Sequence, residues 1–156
     1  MEQAFLTSIH DYQKLIYKVC KMYRDSKEDQ EDLFQEIVYQ LWKSYQSFKG
    51  ESKISSWIYR IALNTAMAIY RKPKLAVEYV EEIPEQIHMG SEMNVSENEE
   101  RLFAALRTLR DSEKALMSLY LEDLTYQEIA EITGISESNT GVRLNRIKNK
   151  LKQILK

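Results

Sequence analysis

Leu124-Thr-Tyr-Gln-Glu-Ile-Ala-Glu-Ile-Thr-Gly-Ile-Ser136, with a basic stretch running on to Lys156, has the pattern of a helix-turn-helix. Thr125 and Glu128 form a capping box, in which each side chain satisfies a first-turn backbone N–H, so a helix is expected from Thr125. Ile129 and Ile132 give it an apolar face, and the small Ala130 lets a second helix cross closely. Gly134 stands where a left-handed residue ends such a helix, and Ser136 can cap the next. Thr140, Leu144, Ile147, Leu151 and Leu155 then recur at spacings of four, three, four and four, one face of a helix. The opposite arc carries Arg143, Arg146, Lys148, Lys150, Lys152 and Lys156, opposed only by Glu137. A helix anchored on one side and cationic on the other can lie in a DNA major groove. A solvated surface helix would carry the same charges, and this geometry also occurs in proteins that never touch DNA. The capping box, Ala130, Gly134 and the basic helix together favour DNA binding.

The remaining composition narrows the class. A chain of 156 residues makes one ordinary domain or two small ones. Its 44% hydrophobic and 29% charged residues are those of a globular protein. Four Gly and two Pro among many Leu, Ile, Glu, Lys and Gln favour helix over sheet. A net charge of −2 argues against a general nucleic-acid coat, so DNA binding must rest on local positive charge and on help from a partner. The single Cys20 excludes an internal disulfide and suits a reducing compartment. Ile16, Val19 and Tyr23 around it suggest a buried thiol. His10 and His88 lie far apart with no ligand spacing, so no metal is expected. No signal-peptide core is visible, and nowhere do about 18 apolar residues run together. The expected location is the cytoplasm, without direct membrane insertion.

Three blocks follow along the chain. Phe5, Ile9, Tyr12, Ile16, Val19 and Tyr23 mark a first amphipathic helix. Ser26-Lys-Glu-Asp29 opens a second, with Leu33, Ile37, Leu41 and Trp42 on one face. The stretch Gln46 to Lys53 breaks the period and reads as a loop pivoting on Gly50. A third helix runs through Trp57, Ile61, Thr65 and Ile69 and stops before Pro73. Residues 73–97 hold both prolines, Gly90 and a run of acids, the composition of a flexible, solvated linker. Ser96 and Glu99 offer another capping box, and Leu102, Leu106 and Leu109 lead into Ala115 to Leu121 and the helix-turn-helix. The expected architecture is therefore all-α. Two small helical bundles, 1–72 and 98–156, are joined by an acidic linker, and each is too short for more than a marginal core.

In this order the blocks resemble the extracytoplasmic-function (ECF) sigma factors of bacterial RNA polymerase, over nearly the whole chain. Glu31-Asp-Leu-Phe-Gln-Glu-Ile37 is similar to the family's polymerase-binding helix. Phe48-Lys-Gly-Glu-Ser-Lys-Ile54, Ser56-Trp-Ile-Tyr-Arg-Ile-Ala62, Asn64-Thr65 and Tyr70-Arg-Lys72 resemble its promoter-melting segment, and Leu124 to Ala130 its upstream-element reader. The resemblance implies that Asp32, Gln35 and Glu36, within about a turn of one another, dock on a coiled coil of the largest polymerase subunit. Taken alone, those acids would equally be a solvated helix N-terminus favoured by the macrodipole.

The loop of Phe48, Lys49, Gly50, Glu51, Ser52 and Lys53 is similar to the pocket that takes a base flipped from the −10 element. Such a pocket needs stacking surface, hydrogen-bonding groups and backbone freedom. Phe48 and Trp57 suit core plugs better than base contacts. Asn64 can read a base edge, and Arg60, Arg71 and Lys72 can hold phosphate. In the reader helix the resemblance places Asn139, Gly141, Val142, Arg143, Asn145 and Arg146 toward the −35 element. Arginine there can reach phosphate or guanine, asparagine an adenine edge, and Val142 a thymine methyl. Three positions depart from the family: Leu63 where many relatives are basic, Ala68 where they carry Asp, and Gly141 in the reader. Gly141 costs about 1 kcal/mol of helix propensity and would permit close approach to the DNA backbone.

The implied function is a non-catalytic initiation factor. It binds core RNA polymerase, reads −35 and −10 promoter elements and traps melted −10 DNA, since flipped-base contacts offset a few kcal/mol of lost stacking. The implied partners are core polymerase, promoter DNA and an anti-sigma factor, with no cofactor and no small-molecule substrate. A stand-alone repressor and a pure helix-binding protein are the competing readings. An enzyme is the least supported, as no phosphate-cradling glycine loop, metal cluster or nucleophile–base pair is visible.

Overall fold

Local signals start and stop the helices. The computed structural model describes residues 2–48, 50, 53–71 and 96–156, with the backbone alone for 69–71. Helices α1 (Glu2–Tyr23), α2 (Lys27–Tyr45) and α3 (Ile54–Arg71) form the first bundle. Ser26 caps α2, its Oγ accepting from the Asp29 N–H at 3.1 Å. The loop between α2 and α3 falls where the period breaks, and Gly50 takes φ +73° there, a left-handed conformation that suits glycine. The linker reading and Lys49, Glu51, Ser52 and Lys72 lie outside the described residues, apart from Ser96 and Glu97.

The second bundle comprises α4 (Glu97–Arg107), α5 (Asp111–Leu121), α6 (Tyr126–Thr133) and α7 (Glu137–Leu155). Ser96 caps α4 by accepting from the Glu99 N–H at 3.2 Å, so the helix begins at Glu97. No strand occurs among the described residues.

Most helices bury the stripes their periodicity marks, but α3 is turned from its expected stripe. Ile58, Tyr59, Ala62, Leu63 and Ala66 are buried with Thr65, while Trp57 and Ile61 are only half-buried. Phe5, Ile9, Ile16, Val19 and Tyr23 meet Leu33, Phe34, Ile37 and Leu41 in the first. Leu106, Leu119, Ile129, Leu144 and Ile147 fill the second. The two are not separate cores. Buried residues of both belong to one continuous cluster, with α1 packed on α4 and α5, and α3 on α5 and α6. This explains the second half of α1. From Leu15 to Tyr23 every residue but Lys18 is buried, because neighbours cover the helix on more than one side. An amphipathic stripe describes a helix with one buried face and cannot announce a second.

The seam between bundles is also polar. Tyr23 Oη donates to the Asp111 carbonyl at 2.9 Å. Arg107 Nε donates to the carbonyls of Lys21 (2.8 Å) and Arg24 (3.1 Å), at the end of α1. Lys18 pairs with Glu122 at 2.8 Å.

Candidate nucleic-acid interface

The helix-turn-helix forms as its local signals require. Thr125 Oγ1 accepts from the Glu128 N–H at 3.1 Å, and Glu128 Oε1 accepts from the Thr125 N–H at 3.0 Å, completing the capping box. Gly134 ends α6 at φ +81°, its N–H bonded to the Ala130 carbonyl. Ser136 caps α7 through the Asn139 N–H at 3.1 Å. Thr140, Leu144, Ile147 and Leu151 are buried and seat α7 on the bundle. Asn139, Val142, Arg143, Asn145 and Arg146 are exposed along the opposite side. Val142 is 48% exposed, an apolar group held outward between two charged turns.

The cationic arc is less uniform than its sequence. Lys148 Nζ lies 4.0 Å from the Tyr120 ring centroid, and contact with Tyr120, then Tyr126, holds its ammonium above the usual lysine range. Lys150 pairs with Glu113 at 3.2 Å. Both are turned back onto their own bundle, whereas Arg143 and Arg146 face solvent. Gly141 also has a packing reason. A Cβ there would stand 3.2 Å from Tyr126 Cε2, so the missing side chain leaves room for a ring of α6.

On the first bundle, Phe48 packs against Trp57 at 4.9 Å between centroids, Trp57 meets Tyr45 at 6.1 Å, and Tyr45 meets Phe5 at 5.2 Å. This row of rings ties the loop to the core. Phe48 and Trp57 are both half-buried, so each plugs the bundle only in part. Lys53, Arg60 and Asn64 are exposed, the last two a turn apart on α3. Leu63 is 3% exposed, which places that departure in the core, where a basic side chain would be desolvated. Ala68 is exposed. The Arg71 side chain lies outside the described residues.

Lys53 and Arg60 are engaged by α6. Lys53 Nζ lies 3.2 Å from Glu128 Oε2, and Arg60 Nη2 donates to the Glu131 carbonyl at 3.4 Å. The Thr125 N–H first, and Lys53 with it, hold the Glu128 carboxyl below its ordinary value. No sequence signal pairs these residues. On α2, Asp32 is exposed, Gln35 and Glu36 are half-buried, and Glu36 Oε1 accepts from Gln40 Nε2 at 3.3 Å. Cys20 is fully buried, and burial pushes its thiol far up, away from reactivity. Among the described residues no His, Cys, Asp and Glu group could hold a metal, and no helix is long and apolar enough to cross a membrane.

Comparison with known proteins assigns both halves. The Sigma-70 region 2 model matches residues 9–74, and the Sigma-70 region 4 model residues 99–151. RNA polymerase sigma factor SigV of Bacillus subtilis is 30% identical over 142 residues, covering 90% of this chain and 84% of its own. The ECF RNA polymerase sigma-E factor of Haemophilus influenzae is 30% identical over 172 residues, 99% of this chain and 90% of its own. Sigma factor RpoE of Bartonella quintana, solved with the anti-sigma factor NepR, shares the fold with a TM-score of 0.74 at 18% identity, covering 98% of this chain and 97% of its own. CnrH, solved with the cytosolic domain of CnrY, does so at 0.69 and 17%, covering 99% and 89%. With both region models matched in order and relatives aligned over nearly their full length, the chain belongs to the sigma-70 family of RNA polymerase sigma factors, in its extracytoplasmic-function group.

Proposed function

We propose that this chain binds core RNA polymerase in the cytoplasm and directs it to promoters by reading −35 and −10 elements. The observation that carries the reading is α7: four buried residues fix one face, while Arg143 and Arg146 are held outward with Asn139, Val142 and Asn145 beside them. Arg143 and Arg146 hold phosphate or guanine, the asparagines reach base edges, and Val142 meets a thymine methyl. Gly141 lies on the same helix and lets the DNA backbone approach closely, its missing side chain also leaving room for Tyr126.

The loop of Phe48 to Lys53, with Arg60, Asn64, Arg71 and Lys72, holds the non-template strand of the melted −10 element. The half-buried Phe48 ring offers its exposed part to a base. Asp32, Gln35 and Glu36 form the polymerase-docking edge of α2. Melting needs no hydrolysis by the factor, since captured bases offset the stacking they lose. The complex of one structural neighbour with an anti-sigma factor supports a like partner for this chain.

Run-off transcription from genomic promoters with purified core polymerase tests this. Added chain should create defined start sites, and Arg143→Ala with Arg146→Ala should remove them. A chain that leaves core polymerase without start-site selection, or that binds duplex tightly on its own as a repressor does, refutes it.

A further inference from the structure

Gly141 and Lys148 stand two turns apart on the reader helix and share a neighbour. At about 100° per residue, both fall on one flank of α7. That flank lies between the buried row of Thr140, Leu144, Ile147 and Leu151 and the exposed row of Val142, Asn145 and Arg146. Tyr126, half-buried in the first turn of α6, meets it. A Cβ at Gly141 would stand 3.2 Å from Tyr126 Cε2 and 3.5 Å from Cδ2. Side chains on a helix lean toward its N-terminus, so Lys148 reaches back toward the same place. Its ammonium lies 4.0 Å from the Tyr120 ring centroid, and Tyr126 stands near enough to act on its charge.

The opposite flank is held as well. Lys150 falls there and pairs with Glu113 of α5 at 3.2 Å. The buried row seats α7, and the two flanks set its roll about its own axis. Roll decides which base each outward side chain meets, because a recognition constellation must hold to about 0.5 Å and roughly 10–20° of its productive geometry. Starting α6 does not require Tyr126, since Thr125 and Glu128 complete the capping box between themselves. What the ring adds lies across the gap, against α7. A methyl group at position 141 would press on it, and the ring would give by a few tenths of an ångström.

We propose that Tyr126 is a positioning residue for −35 recognition. Its ring, seated on the bare backbone of Gly141, fixes the roll of α7 and thereby which bases Val142, Arg143, Asn145 and Arg146 reach. This rests on the assignment of α7 to the −35 element. Tyr126 acts through the helix it supports and not on a base. Losing the ring therefore costs discrimination between −35 sequences more than it costs folding.

The test uses the full chain in holoenzyme with purified core polymerase, on a promoter found by run-off transcription. Its −35 bases are randomised, its −10 element is kept, and sequencing of the bound fraction gives the discrimination between the preferred element and its single-base variants. Tyr126→Ala should lower that ratio on the order of fivefold, about the worth of one base contact. Tyr126→Phe, which keeps the ring, should leave it unchanged. Gly141→Ala should lower it too, although the same change favours the helix, a loss that a merely structural role would not give. In a Tyr126→Ala background Gly141→Ala should add nothing further. Should Tyr126→Ala fail to fold by circular dichroism, Gly141→Ala carries the test, and unchanged discrimination overturns the proposal. A loss equal across all −35 sequences overturns it as well, as does a Tyr126→Phe variant as impaired as Tyr126→Ala. So does a Gly141→Ala effect that persists without the ring, which would place that residue's role directly at the DNA. A wild-type holoenzyme indifferent to the −35 bases refutes the function itself, whereas a preference that survives both substitutions sinks only the positioning.

Discussion

Tyr126 lies across the reader helix at the one residue of α7 that has no side chain, its Cε2 at 3.2 Å from where a Gly141 Cβ would be. Glycine inside a helix costs about 1 kcal/mol relative to alanine, and the ring contact offsets part of what alanine would gain. Tyr126 is half-buried and at the first turn of α6, so its ring can yield by a few tenths of an ångström. Gly141→Ala should therefore stabilise the chain, by less than about 1 kcal/mol. In a Tyr126→Ala background the same change should give the full increment. Equal increments in both backgrounds, by chemical denaturation, would show that the ring does not restrain the site.

Leu144 is fully buried beneath the face that presents Arg143 and Asn145. Leu144→Ala should cost about 2–5 kcal/mol, as for other buried leucines, and promoter selection should fall with the loss of folded reader. A urea titration followed by circular dichroism checks the cost. A change under about 1 kcal/mol would show that α7 is not seated by this residue.

Arg143 and Arg146 face solvent, so replacing either with alanine should alter stability by no more than about 0.5 kcal/mol. Promoter binding by the polymerase holoenzyme should instead weaken by about 1–3 kcal/mol for an arginine that reads guanine. For one that holds phosphate, the salt dependence of binding should become shallower. Filter binding across a salt series separates the two roles, and unchanged affinity and slope for both variants would remove α7 from the DNA.

Two helix starts should make the fold sensitive to acid. At Glu113 burial opposes ionisation, but the Arg110 N–H at 3.0 Å and the Lys150 ammonium outweigh it and hold the carboxyl below its ordinary value. Glu128 is depressed too, chiefly by the Thr125 N–H. Depressed carboxyls contribute stability that is present above the unfolded value, 4.5, and lost as pH falls through the folded one. Melting temperature should thus be level near neutrality and drop below that value. Glu113→Gln with Glu128→Gln should flatten the drop, and an acid limb identical to wild type would refute the assignment.

Much of the fold was legible because its signals are local. Thr125 with Glu128, Gly134 and Ser136 act within one turn of where they stand, and the spacing from Thr140 to Leu151 marks the buried side of α7 without knowledge of a partner. The same holds for Ser26 at α2 and for the break around Gly50. The candidate sites were legible as positions and less so as states. Arg143 and Arg146 face outward as the periodicity predicts, but Lys148 and Lys150, on the same arc, are drawn back by Tyr120 and Glu113. Leu63 could not be assigned an inward position from α3 alone, because α3 is covered by helices of both bundles.

The chain's own residues determined where the described helices begin and end, which face most of them bury, and which family carries that order of motifs. Capping, left-handed turns and helical period are short-range effects that any stretch of sequence displays by itself. Only the tertiary structure decided that α1 is covered from two sides, that Tyr126 takes the space over Gly141, and that Lys53 meets Glu128 from 75 positions away. Such pairings depend on how whole helices come together, and no local period encodes which distant carboxylate a lysine will find.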